Sequence, residues 1–149
     1  LFVAGLLAAA GLAADEPAPR AVPADLATAT AVFDSIEAAW LRGDAAGLVA
    51  RFAPGRVLLR LPGNASDGDA RYSHQQCLLI LRTHFDSHVV RRFEFHETQA
   101  SEVAPGRAVG LAAVSWRILG VGRTKEGRML VVLDRTPDGW AVSQMQALP

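Results

Sequence analysis

The sequence contains one cysteine, Cys77, and one tyrosine, Tyr72, in 149 residues. A single cysteine excludes an internal disulfide, so an apolar core must carry the stability. Cys77 itself reads as a small apolar residue on a helix face, because no basic cluster beside it in sequence would favour a thiolate. Net charge is also lacking, since fifteen basic residues balance fifteen acidic ones. No global field therefore draws the chain onto nucleic acid or anionic lipid, and nucleic-acid partners are not expected. Arg91-Arg92 is flanked by no basic stripe, and strand alternation sends its two side chains to opposite faces. The longest apolar run, Leu1 to Ala14, falls short of the roughly 20 residues of a membrane span, so no stable membrane anchor is expected. Asp67-Gly68-Asp69 lacks the ordered ligands and closing Glu of a calcium loop and reads as a turn.

Half of the residues are hydrophobic, and the length suits one domain with a proper core. The run Leu1–Ala14 ends in small residues and is followed by an acidic, proline-rich stretch, the pattern of a secretory signal peptide's core and cleavage region. Residues 1–14 are thus expected to be a signal-peptide remnant, cut after Ala13 or Ala14. Residues 15–24 are expected to be a linker, and residues 25–149 a single domain exported to the periplasm or secreted.

Leu26, Ala29, Phe33, Ile36 and Trp40 recur at spacings of three and four, the stripe of an amphipathic helix. Asp25 is the expected cap and Gly43 the left-handed stop. Asp44 then caps a short helix with Leu48, Val49 and Phe52. Val57–Leu61 reads as a strand and Pro62–Asp69 as a loop. Ser73 and Gln76 form a capping box opening a third helix, with Cys77, Leu78, Leu81 and Phe85 on its apolar face. From Val89 the period changes to two, with Phe93 and Phe95 on one face and Arg92, Glu94 and His96 on the other. Pro105-Gly106 turns into a strand from Arg107 to Leu119, on which Ala112, Val114, Trp116 and Ile118 share a face. A glycine-rich crossing leads to Met129–Arg135, and Thr136-Pro137-Asp138-Gly139 turns into Trp140–Leu148. Several of these strands are apolar on both faces, which calls for helices on one side and a second cover, such as another copy, on the other.

Ala38-Ala39-Trp40-Leu41-Arg42-Gly43-Asp44, the following Leu48 and Phe52, and the run of strands resemble the nuclear transport factor 2-like superfamily, which includes ketosteroid isomerase and SnoaL-type cyclases. Tyr72-Ser73-His74-Gln75-Gln76, Ile80-Leu81-Arg82-Thr83-His84-Phe85, Phe95-His96 and a late Gln144 or Gln146 resemble an exported bacterial family of unknown function within it. The resemblance implies an α+β, cone-shaped fold, with N-terminal helices packed on a curved, mainly antiparallel sheet. It also implies a conical pocket and commonly a homodimer through the outer sheet face.

An enzyme of the ketosteroid isomerase or SnoaL type needs a base beside an acid or phenol inside that cone. Asp34 and Glu37 lie off the apolar stripe, where solvent is expected, and Tyr72 stands at a helix entrance. No catalytic residue is therefore assigned. His84 and His88 are four apart, but the helix is expected to end near Asp86 and leave His88 in a loop, which makes both surface histidines of no common purpose, so no metal is assigned, nor any other cofactor. The favoured reading is a non-catalytic, exported domain with a conical pocket that either binds a small apolar ligand or serves as an interaction module, with Tyr72, His96, Trp40, Phe85 and Trp116 as candidate ligand-binding residues. The alternative is a small acid-base isomerase, dehydratase or cyclase.

Overall fold

The structure, a computed structural model, describes residues 27–63, 70–99 and 104–149, with only the backbone of 97–99. The expected signal segment, linker, Asp25, Leu26 and most of the Pro62–Asp69 loop lie outside the described residues.

Helix α1 (Ala29–Leu41) buries Ala29, Phe33, Ile36 and Trp40 of the stripe read from the sequence, and Val32 and Ala39 beside them. Its N-cap is Thr28, whose hydroxyl accepts from the Ala31 N–H at 3.1 Å, so the helix begins later than an Asp25 cap would place it. Gly43, at φ +66°, ends the helix in the left-handed conformation that a bare Cα adopts without penalty. Asp44 accepts from the Gly47 N–H at 2.8 Å and opens α2 (Ala45–Val49). Strands β1 (Val57–Arg60) and β2 (Arg71–Tyr72) precede α3 (His74–Ser87), which carries the complete Ser73–Gln76 capping box. Four long strands follow: β3 (His88–Gln99), β4 (Arg107–Ile118), β5 (Thr124–Thr136) and β6 (Gly139–Ala147).

The strands form one sheet in the order β2-β1-β6-β5-β4-β3. The last four make the expected antiparallel meander, but β1 pairs parallel with β6, Leu58 opposite Gln144 and Arg60 opposite Gln146. Strand β3 follows α3 with no intervening loop, so His88 is its first residue. It carries an irregularity between Val90 and Arg92, which stand opposite Trp116 and Ser115, leaving Arg91 as the extra residue. Such a bulge bends a strand and steepens its twist. As a result both arginines are exposed, contrary to the simple alternation read from the sequence. A second irregularity lies between Phe95 and Glu97.

Strand β5 starts earlier than Met129, and Gly127 lies inside it, not in a crossing loop. The reason is steric: a Cβ on Gly127 would lie 3.3 Å from the Trp116 ring, so glycine leaves room for the indole from the neighbouring strand. The core lies between the helices and the sheet face that presents Ala108, Ala112, Val114, Trp116, Met129, Val131, Leu133, Val142 and Met145.

Candidate functional site

The inner sheet face and the helices enclose the cone, and aromatic rings fill its throat. Phe33 of α1 meets Phe95 of β3 at 4.8 Å between centroids, over Gly110. A Cβ on Gly110 would lie 2.7 Å from Cε1 of Phe33 and 2.9 Å from the Phe95 ring, so the rings occupy the space a side chain there would need. One helical turn or two along, Trp40 packs on Phe93 at 5.0 Å, Phe85 at 5.2 Å and His84 at 5.7 Å. Trp40 and Phe93 are fully enclosed. These rings pack between α1, α3 and β3, and their tilted and edge-on contacts are favourable geometries for aromatic pairs.

Beyond this plug the inner face continues to Trp116. A cavity of about 190 Å³ remains there, bordered by Pro62, Gly63, Val114, Trp116, Gly127 and Ala147, with Glu126 and Arg128 also at its edge. Trp116 is 9% exposed, and its indole Nε1–H is buried with no hydrogen-bond partner. Unpaired buried donors are rare in folded proteins.

His84, read as a surface residue from sequence, is buried, 4% exposed. Burial pushes its imidazole down to about 4, with the neighbouring His88 adding to the shift, so the ring is neutral near pH 7. It stacks on His88 at 4.1 Å and 17°. The His88 Nδ1 lies 2.9 Å from the His84 carbonyl oxygen and 2.8 Å from Ser87 Oγ. A carbonyl only accepts, so Nδ1 carries a proton, and in the neutral ring the lone pair is on Nε2. Among the described residues no group of three or more His, Cys, Asp or Glu is arranged to hold a metal ion.

Glu37 also differs from the expectation of solvent exposure. Its carboxylate is partly buried and accepts from the Phe95 N–H at 3.4 Å, beside the second irregularity of β3, where the ladder leaves that donor available. Asp34 is exposed. Cys77 is fully buried and its thiol is pushed up to about 11 by burial, partly offset by a backbone hydrogen bond, which keeps it protonated and unreactive.

The five candidate residues fall in different places. Trp40 and Phe85 come together in the plug, and Trp116 lies on the same inner face at the cavity. Tyr72 is half-buried on β2 and packs against the core, at the far edge of the sheet from β3. His96 is exposed on the outer face, with Nε2 3.4 Å from Arg92, which donates to Glu94 at 2.9 and 3.0 Å. Sequence reasoning noted the spacing of His84 and His88 but did not expect His84 to be buried or the two rings to stack. The signal for burial was present, since Cys77, Leu81 and His84 run at spacings of four and three along one helix face.

Helices closing over the inner side of a six-stranded, mostly antiparallel sheet define an open, cone-shaped α+β domain of the cystatin-like type. Solved structures specify it further as the nuclear transport factor 2-like fold. A ketosteroid isomerase-like protein from Erwinia carotovora superposes with a TM-score of 0.62 at 16% identity, covering 85% of this chain and 98% of that one. A nuclear transport factor 2-like protein of unknown function from Shewanella oneidensis gives 0.57 at 15% identity, covering 79% and 93%. A DUF4783 family protein from Bacteroides ovatus gives 0.59 at 12% identity, covering 76% and 90%. Identities this low establish the fold and carry no activity. No family model and no curated protein matches the sequence.

Proposed function

We propose that the protein is a non-catalytic binding domain that takes a small apolar ligand at the Trp116 end of its cone. The observation that carries this reading is the division of the inner face, with a throat filled by Phe33, Trp40, Phe93 and Phe95 and a cavity of about 190 Å³ left beside Val114 and Trp116. Reacting groups would need a base and an acid or phenol side by side. Here Glu37 stands against β3 while Tyr72 lies on β2, with four strands between, and His96 faces outward. A cavity of this size, open at one side and with Glu126 and Arg128 at its edge, suits a molecule of about one ring.

The test is a thermal-shift titration with toluene, on the intact chain and on Ala147→Phe, which fills the cavity from its rim. A rise in Tm that the variant abolishes supports binding at this place. No shift at millimolar toluene, or turnover of an enolisable ketone by the intact chain, overturns it.

The same reading includes export and a homodimer through the outer sheet face. The leading apolar run followed by an acidic, proline-rich stretch supports export. For the dimer, alternation sends half-buried Val109, Leu111 and Leu130 to the face opposite the helices, where an apolar surface calls for cover. N-terminal sequencing of native protein checks the first, with an uncleaved cytoplasmic chain as the contrary result.

A further inference from the structure

We propose that the protein rests on an anionic lipid surface through the tip of its β4–β5 hairpin, with Leu119 and Val121 entering the headgroup layer inside a collar of Arg91, Arg117, Arg123 and Lys125. The proposal is independent of the cavity beside Trp116.

The tip is built to project. Strand β4 ends at Ile118 and β5 begins at Thr124. Between them the Val121 N–H donates to the Ile118 carbonyl at 3.0 Å, and the Leu119 N–H donates at 2.9 Å to the carbonyl of Ser87, the last residue of α3. Gly120 takes φ +82°, the conformation that lets the chain reverse there. A Cβ on Gly120 or on Gly122 would meet nothing within 4 Å, so the turn stands clear of the rest of the domain. Held on that turn, Leu119 is 56% exposed and Val121 48%. Leu79, also exposed, borders with Ser87 a hollow of about 350 Å³ on α3, which continues the apolar surface away from the tip's attachment.

The cations around the tip are uncommitted. Cross-strand pairing puts Lys125 on the face of Trp116, and Arg117, beside Thr124, on the opposite face. Arg123 follows the tip directly, and the first bulge of β3 adds Arg91 next to the residues opposite Trp116 and Ser115. Among the described residues none of these four side chains makes an ion pair or hydrogen bond, whereas Arg92 and Arg107 are held by Glu94 and Asp134. The neighbouring acids are Asp86 in the last turn of α3 and Glu126 on β5, so four cations stand against two acids. The charges of the whole chain cancel. The excess is therefore local, and it supports a reversible contact rather than an anchor.

Apolar side chains inside a ring of free cations call for anions and hydrocarbon within a few ångströms of each other. A bilayer with acidic headgroups offers both. A nucleic acid offers phosphates but no apolar layer for two aliphatic side chains.

Co-sedimentation of the intact chain with phosphatidylcholine vesicles, with and without about one-third phosphatidylglycerol, at about 0.05 and 0.5 M salt, tests this. Binding is expected to the acidic vesicles and to be lost at the higher salt. Each cation near the surface is worth about fivefold in affinity, so Arg123→Gln with Lys125→Gln should weaken binding about 25-fold. Leu119→Ser with Val121→Ser should weaken it about tenfold and leave the salt dependence in place. All four positions are exposed, so the urea midpoints should match that of the intact chain. Should a double variant fail to fold, its two single substitutions decide. Any binding through the apolar residues 1–14 is common to every variant, so the tip is read from the differences. Equal binding to both kinds of vesicle, unchanged binding in either double variant, or no binding at all would overturn the proposal.

Discussion

Acidification should unfold this domain through His84. The ring is 4% exposed and its imidazole is lowered from 6.5 to about 4, first by burial and then by the charge of His88. In the unfolded chain it titrates near its ordinary value. Between about pH 6.5 and 4 the unfolded state therefore binds a proton that the folded state refuses, and stability falls as the pH falls. Above that window the group contributes no pH dependence, and below it the loss is complete. A shift of this size corresponds to about 3 kcal/mol in full, and to about 2 to 3 kcal/mol by pH 4.5. Against a typical total of roughly 5 to 15 kcal/mol, that is a large fraction. Urea denaturation at pH 7.5 and 4.5 measures it, with the midpoint falling and the slope unchanged. His84→Phe keeps a planar ring against Trp40 and His88, removes the buried unpaired Nδ1 and removes the titration. Its midpoint should be nearly level across the window. Asp134, whose carboxyl is held below its usual range by a hydrogen bond from Arg107, loses its contribution only at lower pH, as it protonates. The same fall in midpoint in His84→Phe as in the wild type would refute the assignment.

Trp40→Ala removes the ring that Phe85, Phe93 and His84 share and should cost about 3 to 5 kcal/mol, read from the urea midpoint. Gly110→Ala would push a methyl into Phe33 and Phe95 and should destabilise by about 1 to 3 kcal/mol, whereas a neutral result would mean that the plug is looser than the rings indicate. If the outer face is a dimer interface, sedimentation at micromolar concentration should give a dimer and Leu111→Arg a folded monomer; a wild-type monomer would remove that proposal.

The helical stripes, the capping box and the turns at Pro105-Gly106 and Thr136–Gly139 were legible because each is written in residues three or four apart or in glycine's backbone freedom. The aromatic face of Phe93 and Phe95 was legible from alternation alone. Strand β2 was not, since two residues show no period and exist as a strand only by pairing with Val57 and Leu58. The bulge that leaves Arg91 unpaired was likewise not legible, since it shows only in the register of β3 against β4. His84 and Glu37 were misplaced for a common reason. Polar residues were sent to solvent by type, while the one is enclosed by rings and the other supplies an acceptor to a donor that the ladder leaves available. Gly63, Trp116 and Ala147 are separated by tens of residues, so only the closed fold brings them to the border of one cavity.

The parallel pairing of β1 with β6 sets the order in which a growing chain can finish its fold. Leu58, Leu59 and Arg60 find their neighbours at Gln144, Met145 and Gln146, and the Ala53 N–H and Arg51 carbonyl bond to Val142. During synthesis α1, α2 and β1 emerge long before those partners exist. Contacts this distant in sequence close slowly, and until they do β1 offers an unpaired edge, with Val57 and Leu59 uncovered. The fold is thus expected to close only when β6, the strand that covers this edge, is in place.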